Sequence, residues 1–398
     1  MSALNASTAT ASMKRTLLTA ALILYSSLLL FPQERLTLLF AGDLMQHQAQ
    51  IESARQPDGS FDYRPCFAPV RSLIEEADIA IGNLEVTLAG RPYSGYPCFS
   101  APDEFATALQ EAGFDVLLTA NNHCLDRSRR GLERTIRVLD SLHIAHLGTY
   151  QNRSSRSASY PLLIEKKGFR IVLLNATYGT NGFEVIPPNI VNYLHREELQ
   201  ADIQKARAWH PDAIIACVHW GEEYRRHPSK EQRAWAEWLL QQGVTHIIGS
   251  HPHVVQPMEL RTQGSRQHVV VYSLGNFISN MSREDADGGA VFMLELQKPF
   301  VSQLLPPLFP WDESLLRAEV PLPSPCRVSR CGYRLVWTAR PALSGASHYS
   351  LYPVNSPAVG QLSVEARNRL DIFAKRSLEL FRQYNLHVPA WQETDNSY

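Results

Sequence analysis

Neither sign of charge dominates this chain: 38 Lys and Arg stand against 39 Asp and Glu in 398 residues. That balance leaves no broad basic face, so a general nucleic-acid binder is excluded. Internal repeats and low-complexity tracts are also missing, which argues against solenoid or fibrous architecture. No apolar run reaches the ~20 residues that a spanning helix usually takes. The nearest, 17–31, is interrupted by Thr19, Ser26 and Ser27 and preceded by Lys14 and Arg15. It reads as the charged and apolar parts of a targeting segment over residues 1–33. No Ala-x-Ala cleavage site or lipobox cysteine follows it. This favours an uncleaved signal anchor over a cleaved signal peptide, with Met13 as an alternative start. Positive charge on the N-terminal side then places the remainder outside the cytoplasm. The protein is expected in the cell envelope, membrane-anchored or periplasmic to extracellular.

Cysteine is sparse, with six residues. An exported domain permits disulfides. Cys326 and Cys331 are close in sequence, and Cys66 and Cys98 share a Pro-Cys-Phe context, so each pair is a candidate. Six free thiols is an equal alternative, because spacing does not give connectivity. Cys124 and Cys217 adjoin candidate site histidines and read as small buried hydrophobes.

What is present is alternation. Short apolar runs at 36–41, 79–82, 116–119, 144–147, 162–165, 171–175, 213–219, 245–248, 268–274 and 290–296 read as strands. Amphipathic stretches at 67–77, 102–112, 129–142, 196–209 and 230–242 read as helices, two of them stopped by Gly113 and Gly243. This alternation predicts an α/β domain over residues 35–296 with a parallel or mixed sheet. A Pro-rich connection follows at 297–325. Residues 326–398 read as strands near 333–338 and 348–353 and an amphipathic helix at 362–384, with Leu362, Leu370, Phe373, Leu378, Leu380 and Phe381 as its apolar positions. Too short for a core of its own, this extension is expected to pack on the main domain.

In open α/β sheets, functional residues gather beyond the carboxyl ends of strands. Five of six such ends here carry a carboxylate or imidazole: Asp43 and His47, Glu85, His123 and Asp126, His219, then His251 and His253. A core needs no such residues there. In His251-Pro252-His253, an extended backbone would point both imidazoles to one side, and Pro252 favours extended geometry at His251. Asp43, Glu85, Asn122, His219, His251 and His253 form a mixed nitrogen and oxygen donor set. It suits Mn, Fe or Zn better than Ca or Mg. Six donors exceed one tetrahedral site and match two divalent transition-metal ions sharing a carboxylate. His123 is a candidate catalytic acid, with Asp126 one helical turn on to orient it.

In order, the strings GDLM, GNLE, ANNHCLD, HWGEEY, GSHPHVVQ and YSLGNF resemble the CapA family of capsule and poly-γ-glutamate synthesis proteins, which are similar in turn to calcineurin-like metallophosphoesterases. The resemblance covers about 36–296. It implies a four-layer α/β/β/α sandwich with a dinuclear site at one end. Asp43 and His253 would hold the first metal, Asn122, His219 and His251 the second, and Glu85 would bridge. It further implies an anionic polymer or phosphoester substrate, and polymer synthase or export subunits as partners. A non-catalytic polymer-binding assembly subunit and a general periplasmic phosphoesterase are the alternatives. Three positions depart from the phosphoesterase pattern. Met45 stands where a histidine is expected, Glu85 replaces the bridging Asp, and Asn121-Asn122-His123 replaces Gly-Asn-His. His47 is close enough to replace the missing ligand, or is an ordinary loop histidine.

Around this set, Arg225 and Arg226 adjoin the His219 loop and are candidates for an anionic substrate. Asn276 reads as a substrate contact or a tight-turn residue. Arg127, Arg129, Arg130, Arg134 and Arg137 attract a polyanion or, with Glu133, make a solvated helix face. The aromatics of 91–97 rim the site or cover the core, and Trp235 and Trp238 read as core.

Overall fold

The computed structural model describes residues 34–264, 266–298 and 326–392. The targeting segment and all but the first two residues of the Pro-rich connection lie outside the described residues.

Two mixed sheets face one another. The first holds β1 (Arg35–Leu44), β2 (Ile79–Leu84), β3 (Val116–Leu118), β4 (Ala145–Leu147), β13 (Asn276–Ile278), β14 (Gly288–Gln297), β15 (Arg327–Ala339) and β16 (Ser350–Pro353), in the order β16-β15-β14-β1-β2-β3-β4 with β13 beside β1. The second holds β6 (Leu162–Lys166), β7 (Phe169–Thr177), β9 (Ala213–His219), β10 (His246–Ser250), β11 (Met258–Gln263) and β12 (Arg266–Val271), in the order β11-β12-β10-β9-β7-β6. A short ribbon pairs β5 (Thr149–Tyr150) with β8 (Ile190–Val191). β1 to β4 are parallel and β14 to β16 continue that sheet antiparallel, whereas in the second sheet β7, β9, β10 and β12 form a parallel centre between the antiparallel edges β6 and β11.

The period-2 alternation of β1 separates the layers. Leu36, Leu38 and Phe40 face the second sheet, against a cluster that includes Leu173 and Ile215. Leu39 and Ala41 face the other way, onto a helical layer with Phe67, Leu73, Phe105 and Leu109. That layer includes α1 (Gln48–Ala54), α2 (Arg64–Phe67), α3 (Arg71–Glu75) and α4 (Asp103–Glu111). α5 (Ser128–Ser141) and α6 (Arg153–Ser159) follow. The second sheet is buried on both faces, with Ile203 and Ala206 of α7 (Arg196–Arg207) and Ala236 and Leu239 of α8 (Lys230–Gln242) packed on it. Both sheets therefore carry helices outside, giving the α/β/β/α sandwich.

The C-terminal segment enters this core. β15 pairs with β14 over nearly its whole length and buries Trp337 completely. After α9 (Pro341–Ser344) and β16, α10 (Val364–Tyr384) starts at Ser363, whose hydroxyl accepts from Ala366 N. Leu370, Phe373, Leu380 and Phe381 of α10 are buried, and the Phe381 ring lies 4.4 Å from that of Tyr333. Leu378, expected in this stripe, is instead exposed at 44%. The buried positions run 370, 373, 374, 377, 380, 381, and 378 falls off that face. The helix expected at 67–77 is interrupted by a 3-10 turn, Ala68–Val70, because Pro69 has no N–H for an i→i−4 bond. β11 and β13 are strands the periodicity did not reveal, being short or half-exposed.

Cys66, Cys98, Cys124, Cys217 and Cys331 carry free thiols, so the Cys66–Cys98 pairing is not formed. Cys66 faces the helical-layer core, and the Cys326 Sγ lies 3.0 Å from Asp212 O. Among the described residues no helix is long and apolar enough to cross a membrane.

Candidate metal centre

The strand-end residues meet between the two sheets. Register aligns them within each sheet: Asp43 pairs with Asn83 of β2 and with Asn276 of β13. In the second sheet, His219 at the end of β9 pairs with Ser250 and Thr177. His251 and His253 follow directly after β10. Neither is extended, contrary to the geometry expected around Pro252. Their φ angles are +102° and +58°, both in the left-handed region that L-residues rarely adopt. Two left-handed residues coil the loop, and the rings reach the cluster by that turn rather than by strand alternation. The ring centroids are 5.9 Å apart, and His251 lies 4.8 Å from His219. Gly249 allows β10 to pass close to β12: a Cβ there would stand 2.1 Å from Tyr272 O and 2.5 Å from Trp220 Nε1.

The donor atoms are closely spaced. His253 Nδ1 is 3.2 Å from Asp43 Oδ2, and Glu85 Oε1 lies 3.7 Å from His219 Nε2 and 3.8 Å from His253 Nε2. Asn122 Oδ1 is 2.8 Å from His219 Nε2, a separation at which two atoms share either a proton or a cation. Ligand atoms of Asp43, Glu85 and His219 form one group within 4.8 Å of one another, and those of Glu85, His251 and His253 form another. Glu85 belongs to both. All six residues are buried.

The electrostatics are those of a site built for a cation. Burial drives the Glu85 carboxyl well above the ordinary range, and the Asp43 charge pushes it further. Burial acts the same way on Asp43, but the close contact with His253 and the charge of that imidazole prevail and hold its carboxyl low. Burial depresses His253 too, and there the Asp43 interaction wins and raises it. His219 is held well below its usual value, by burial first and His251 second. His251 falls to about 3, by burial and then His253. Without added charge the cluster thus disfavours the charged forms of Glu85, His219 and His251. Among the described residues Asp43 Oδ2, Glu85 Oε1 and His251 Nδ1 have no hydrogen-bond partner. The His253 Nδ1 contact with Asp43 Oδ2 is an ion pair only, since that nitrogen is better placed for Asn276 Oδ1 at 3.0 Å. Unpartnered buried carboxylate oxygens are costly. Divalent cations would satisfy them and offset the cost of charging Glu85, so the donors fit the expected transition metals.

His123 and Asp126 stand beside this set. His123 Nδ1 is 2.7 Å from Asp126 Oδ2, which also accepts from Phe99 N at 2.7 Å. The His123 ring packs edge-on against Phe99, with centroids 4.7 Å apart. Burial raises the Asp126 carboxyl despite its bond to His123.

Other expected residues are placed differently. Asn276 is fully buried, and its side chain bonds His253 and Ala286 O, so it supports the cluster from behind. Arg225 is exposed and paired with Glu222 at 3.4 Å, outside the cluster. Arg226 is drawn toward α10, donating to Arg376 O. Met45 is buried in the helical-layer core. His47 does not replace it: it precedes α1, its N donates to Gln50 Oε1, and its Nδ1 is 3.3 Å from Asn280 N. Arg129 pairs with Glu133, and Arg134 with Asp103, consistent with a solvated helix face. Tyr96 is exposed at the rim, and Trp235 and Trp238 pack against the core under Arg196.

Three contributors were not anticipated. Asn83 Nδ2 donates to Asp43 Oδ1 at 2.8 Å and lies 3.3 Å from both Glu85 Oε2 and His219 Nδ1. Asn121 Nδ2 donates to Leu84 O, and its Oδ1 accepts from His123 N. Tyr178, half-exposed, lies 4.6 Å from the His251 ring. Asn83 and Asn121 share the strand-end strings with Glu85 and His123, the one signal pointing to them. A cavity of about 1120 Å³ lies elsewhere, lined by residues including His246, His268 and Arg266 and by none of this set.

The sequence profile of a family described as "Bacterial capsule synthesis protein PGA_cap" matches residues 37–281. The "Capsule biosynthesis protein CapA" of Bacillus anthracis is 29% identical over 261 residues, 62% of this chain and 60% of that protein. The "PGA biosynthesis protein CapA" of Bacillus subtilis (strain 168) is 25% identical over 282 residues, 67% and 70% of the two. The chain thus spans less than two thirds of the length of the first relative. Among solved structures, a putative 5'-nucleotidase from Staphylococcus aureus aligns with a TM-score of 0.45 at 14% identity, over 86% of this chain and 58% of that one. An NAD nucleotidase from Haemophilus influenzae aligns with a TM-score of 0.45 at 11% identity, over 92% and 65%.

Proposed function

The chain belongs to the PGA_cap family of bacterial capsule synthesis proteins, and from that premise we propose that it acts in the cell envelope on capsular poly-γ-glutamate, or a related anionic polymer or phosphoester, through a dinuclear metal centre. One observation carries this reading: two carboxylates and three imidazoles from the strand ends of both sheets converge in a buried cluster whose Asp43 Oδ2 and Glu85 Oε1 have no hydrogen-bond donor. Asp43 and His253 would hold one divalent transition ion, Asn122, His219 and His251 the other, with Glu85 shared between them. When bound, the ions supply positive charge for an anionic oxygen and Lewis-acid activation of a nucleophile.

The chain's own residues would do the rest. Asp126 holds the His123 ring by Nδ1, leaving Nε2 to give a proton to a departing oxygen or nitrogen. Asn83 steadies the carboxylate of Asp43. Asn276 holds His253 by Nδ1, the outer support that ligating histidines need. Export rests on the segment at 14–31, and synthase or export subunits would be the partners.

A second reading, a polymer-binding assembly subunit without turnover, is favoured by one observation. Met45 fills a ligand position of the phosphoesterase pattern, and His47 is committed elsewhere. Metal analysis of the purified protein, then assay on poly-γ-glutamate and a generic phosphodiester, separates the readings. Two metal equivalents with turnover support the enzyme. Two equivalents with tight polymer binding and no turnover support the binder. A metal-free, inactive protein would overturn both metal-based readings.

A further inference from the structure

The support of His253 reaches beyond the segment that matches the family. Asn276 Oδ1 lies 3.0 Å from His253 Nδ1, while Asn276 Nδ2 donates to Ala286 O at 2.8 Å. The carbonyl fixes which way the amide faces, nitrogen toward Ala286 and oxygen toward the imidazole. An amide oxygen only accepts, so together with Asp43 Oδ2, 3.2 Å from the same nitrogen, it keeps a proton on Nδ1 and in the neutral ring leaves Nε2, 3.8 Å from Glu85 Oε1, as the lone-pair nitrogen.

Ala286 is fully buried in a turn at 282–287, and its neighbour Asp285 has a φ of +67°. An aspartate in that left-handed conformation persists where its surroundings hold it. Here the holding groups come from the C-terminal helix. Arg376 of α10 grips Asp285 with two bonds, Nε to Oδ1 at 2.7 Å and Nη2 to Oδ2 at 2.8 Å. Its Nη1 is 2.8 Å from Glu284 Oε1. Arg369, two turns earlier, donates from Nη2 to Asp287 Oδ2 at 3.0 Å and to Ser282 O at 3.2 Å. Arg226, from the loop after β9, closes the set: it donates to Arg376 O, and its Nε lies 3.5 Å from Asp285 Oδ2. Paired guanidinium–carboxylate bonds are directional as well as strong. The turn and the helix both lie outside residues 37–281, the extent of the family match.

We propose that Arg376 is a positioning residue for the metal centre: through Asp285 and the Ala286 carbonyl it fixes the Asn276 amide, and so the His253 tautomer that offers Nε2 to a divalent transition cation. This rests on the dinuclear reading above, and α10 is then a working part of the site as well as a cover for the sheet.

The test uses the full chain as wild type, Arg376→Ala, Arg376→Lys and Arg156→Ala. Arg156 makes a comparable two-bond grip on Asp202 away from the cluster, so its variant reports the general cost of losing such a pair. Metal-stripped protein is titrated with Mn²⁺ and Zn²⁺ by calorimetry. Long-range ¹H–¹⁵N spectra of the metal-free protein at alkaline pH identify the His253 tautomer. Arg376→Ala is expected to weaken one of the two metal sites roughly 10- to 100-fold and to move His253 off the pure Nδ1–H form. Arg376→Lys, which cannot form the two-bond grip, should recover only part of both. Arg156→Ala should lower the melting temperature and leave both readouts at wild type. A wild-type metal isotherm and tautomer in Arg376→Ala, whatever its melting temperature, would overturn the proposal and leave the helix a structural role. Should wild type bind no metal, the dinuclear reading fails, and the tautomer comparison still decides whether Arg376 positions His253. Should Arg376→Ala fail to fold, Asp285→Asn removes the same charge pair and is held to the same outcomes.

Discussion

His123 and Asp126, three residues apart in the loop after β3, form a buried pair with Nδ1 2.7 Å from Oδ2. Asp126 thus engages Nδ1 and leaves Nε2 as the nitrogen free for chemistry. The expected consequence is kinetic. His123→Ala should lower kcat on a turned-over substrate by ~10²–10⁴, the usual share of general acid catalysis, with metal content unchanged. Asp126→Asn should fall between that variant and wild type. Unchanged kcat in His123→Ala would remove it from the chemistry.

His251 combines a neutral, buried ring with an Nδ1 that has no hydrogen-bond partner. His251→Ala is therefore expected to lose at least one of two metal equivalents on elemental analysis. Chelation should lower the wild-type melting temperature, since a ligand at 100 times its Kd contributes about 2.7 kcal/mol. It should lower that of His251→Ala less. Equal metal content in the two proteins would count against His251 as a ligand.

His246 opens β10, far from the strand-end cluster, and its Nδ1 accepts from Val269 N at 3.2 Å. Burial, and secondarily His268, takes it from its ordinary 6.5 to about 3. The native state thus refuses a proton that the unfolded chain accepts between pH 6.5 and 3. In that window the unfolded state binds more protons, so stability falls as pH falls, by at most ~1.4 kcal/mol per pH unit for this group. Above pH 6.5 it contributes no pH dependence. Denaturant melts from pH 7 to 5 should therefore show a shallower loss in His246→Gln than in wild type. Parallel profiles would mean that His246 titrates normally in the fold.

Gly249 has no room for a side chain, since a Cβ would meet Tyr272 O at 2.1 Å in the space spanned by the Trp220 Nε1 bond to that oxygen. Gly249→Ala should cost about 1–3 kcal/mol, as overpacking typically does, and should also reduce metal affinity by shifting the His251 loop. An unchanged melting midpoint would show that β10 has slack.

Much of this was legible in the residues. Strand ends are local events, so Asp43, Glu85, Asn122, His219, His251 and His253 were readable one by one behind their apolar runs. Helix α8 matches the expected 230–242, where Gly243 stops it; the structure adds Ser229 as its N-cap. Local signals misled where the backbone left its common basins. Pro252 favours extended geometry at His251, yet packing of the loop holds that residue at φ +102°. Asn276 reads from the sequence as a substrate contact or a tight-turn residue. Its pairing with Asp43 across β1 turns it inward instead.

The α/β class, the donor types at the strand ends and the motifs that resemble the family are legible in the residues, because periodicity, strand ends and short motifs are written within a few residues of one another, and the four-layer order followed from that resemblance. Only the tertiary structure decided which ligands touch, that Asn83 sits among Asp43, Glu85 and His219, and that Arg376 braces the turn behind His253 from 123 residues away. Those contacts depend on the register between strands and on the direction of single amides and guanidinium groups. Neither leaves a mark on local composition, so both become visible only once the two sheets and the C-terminal helix have packed.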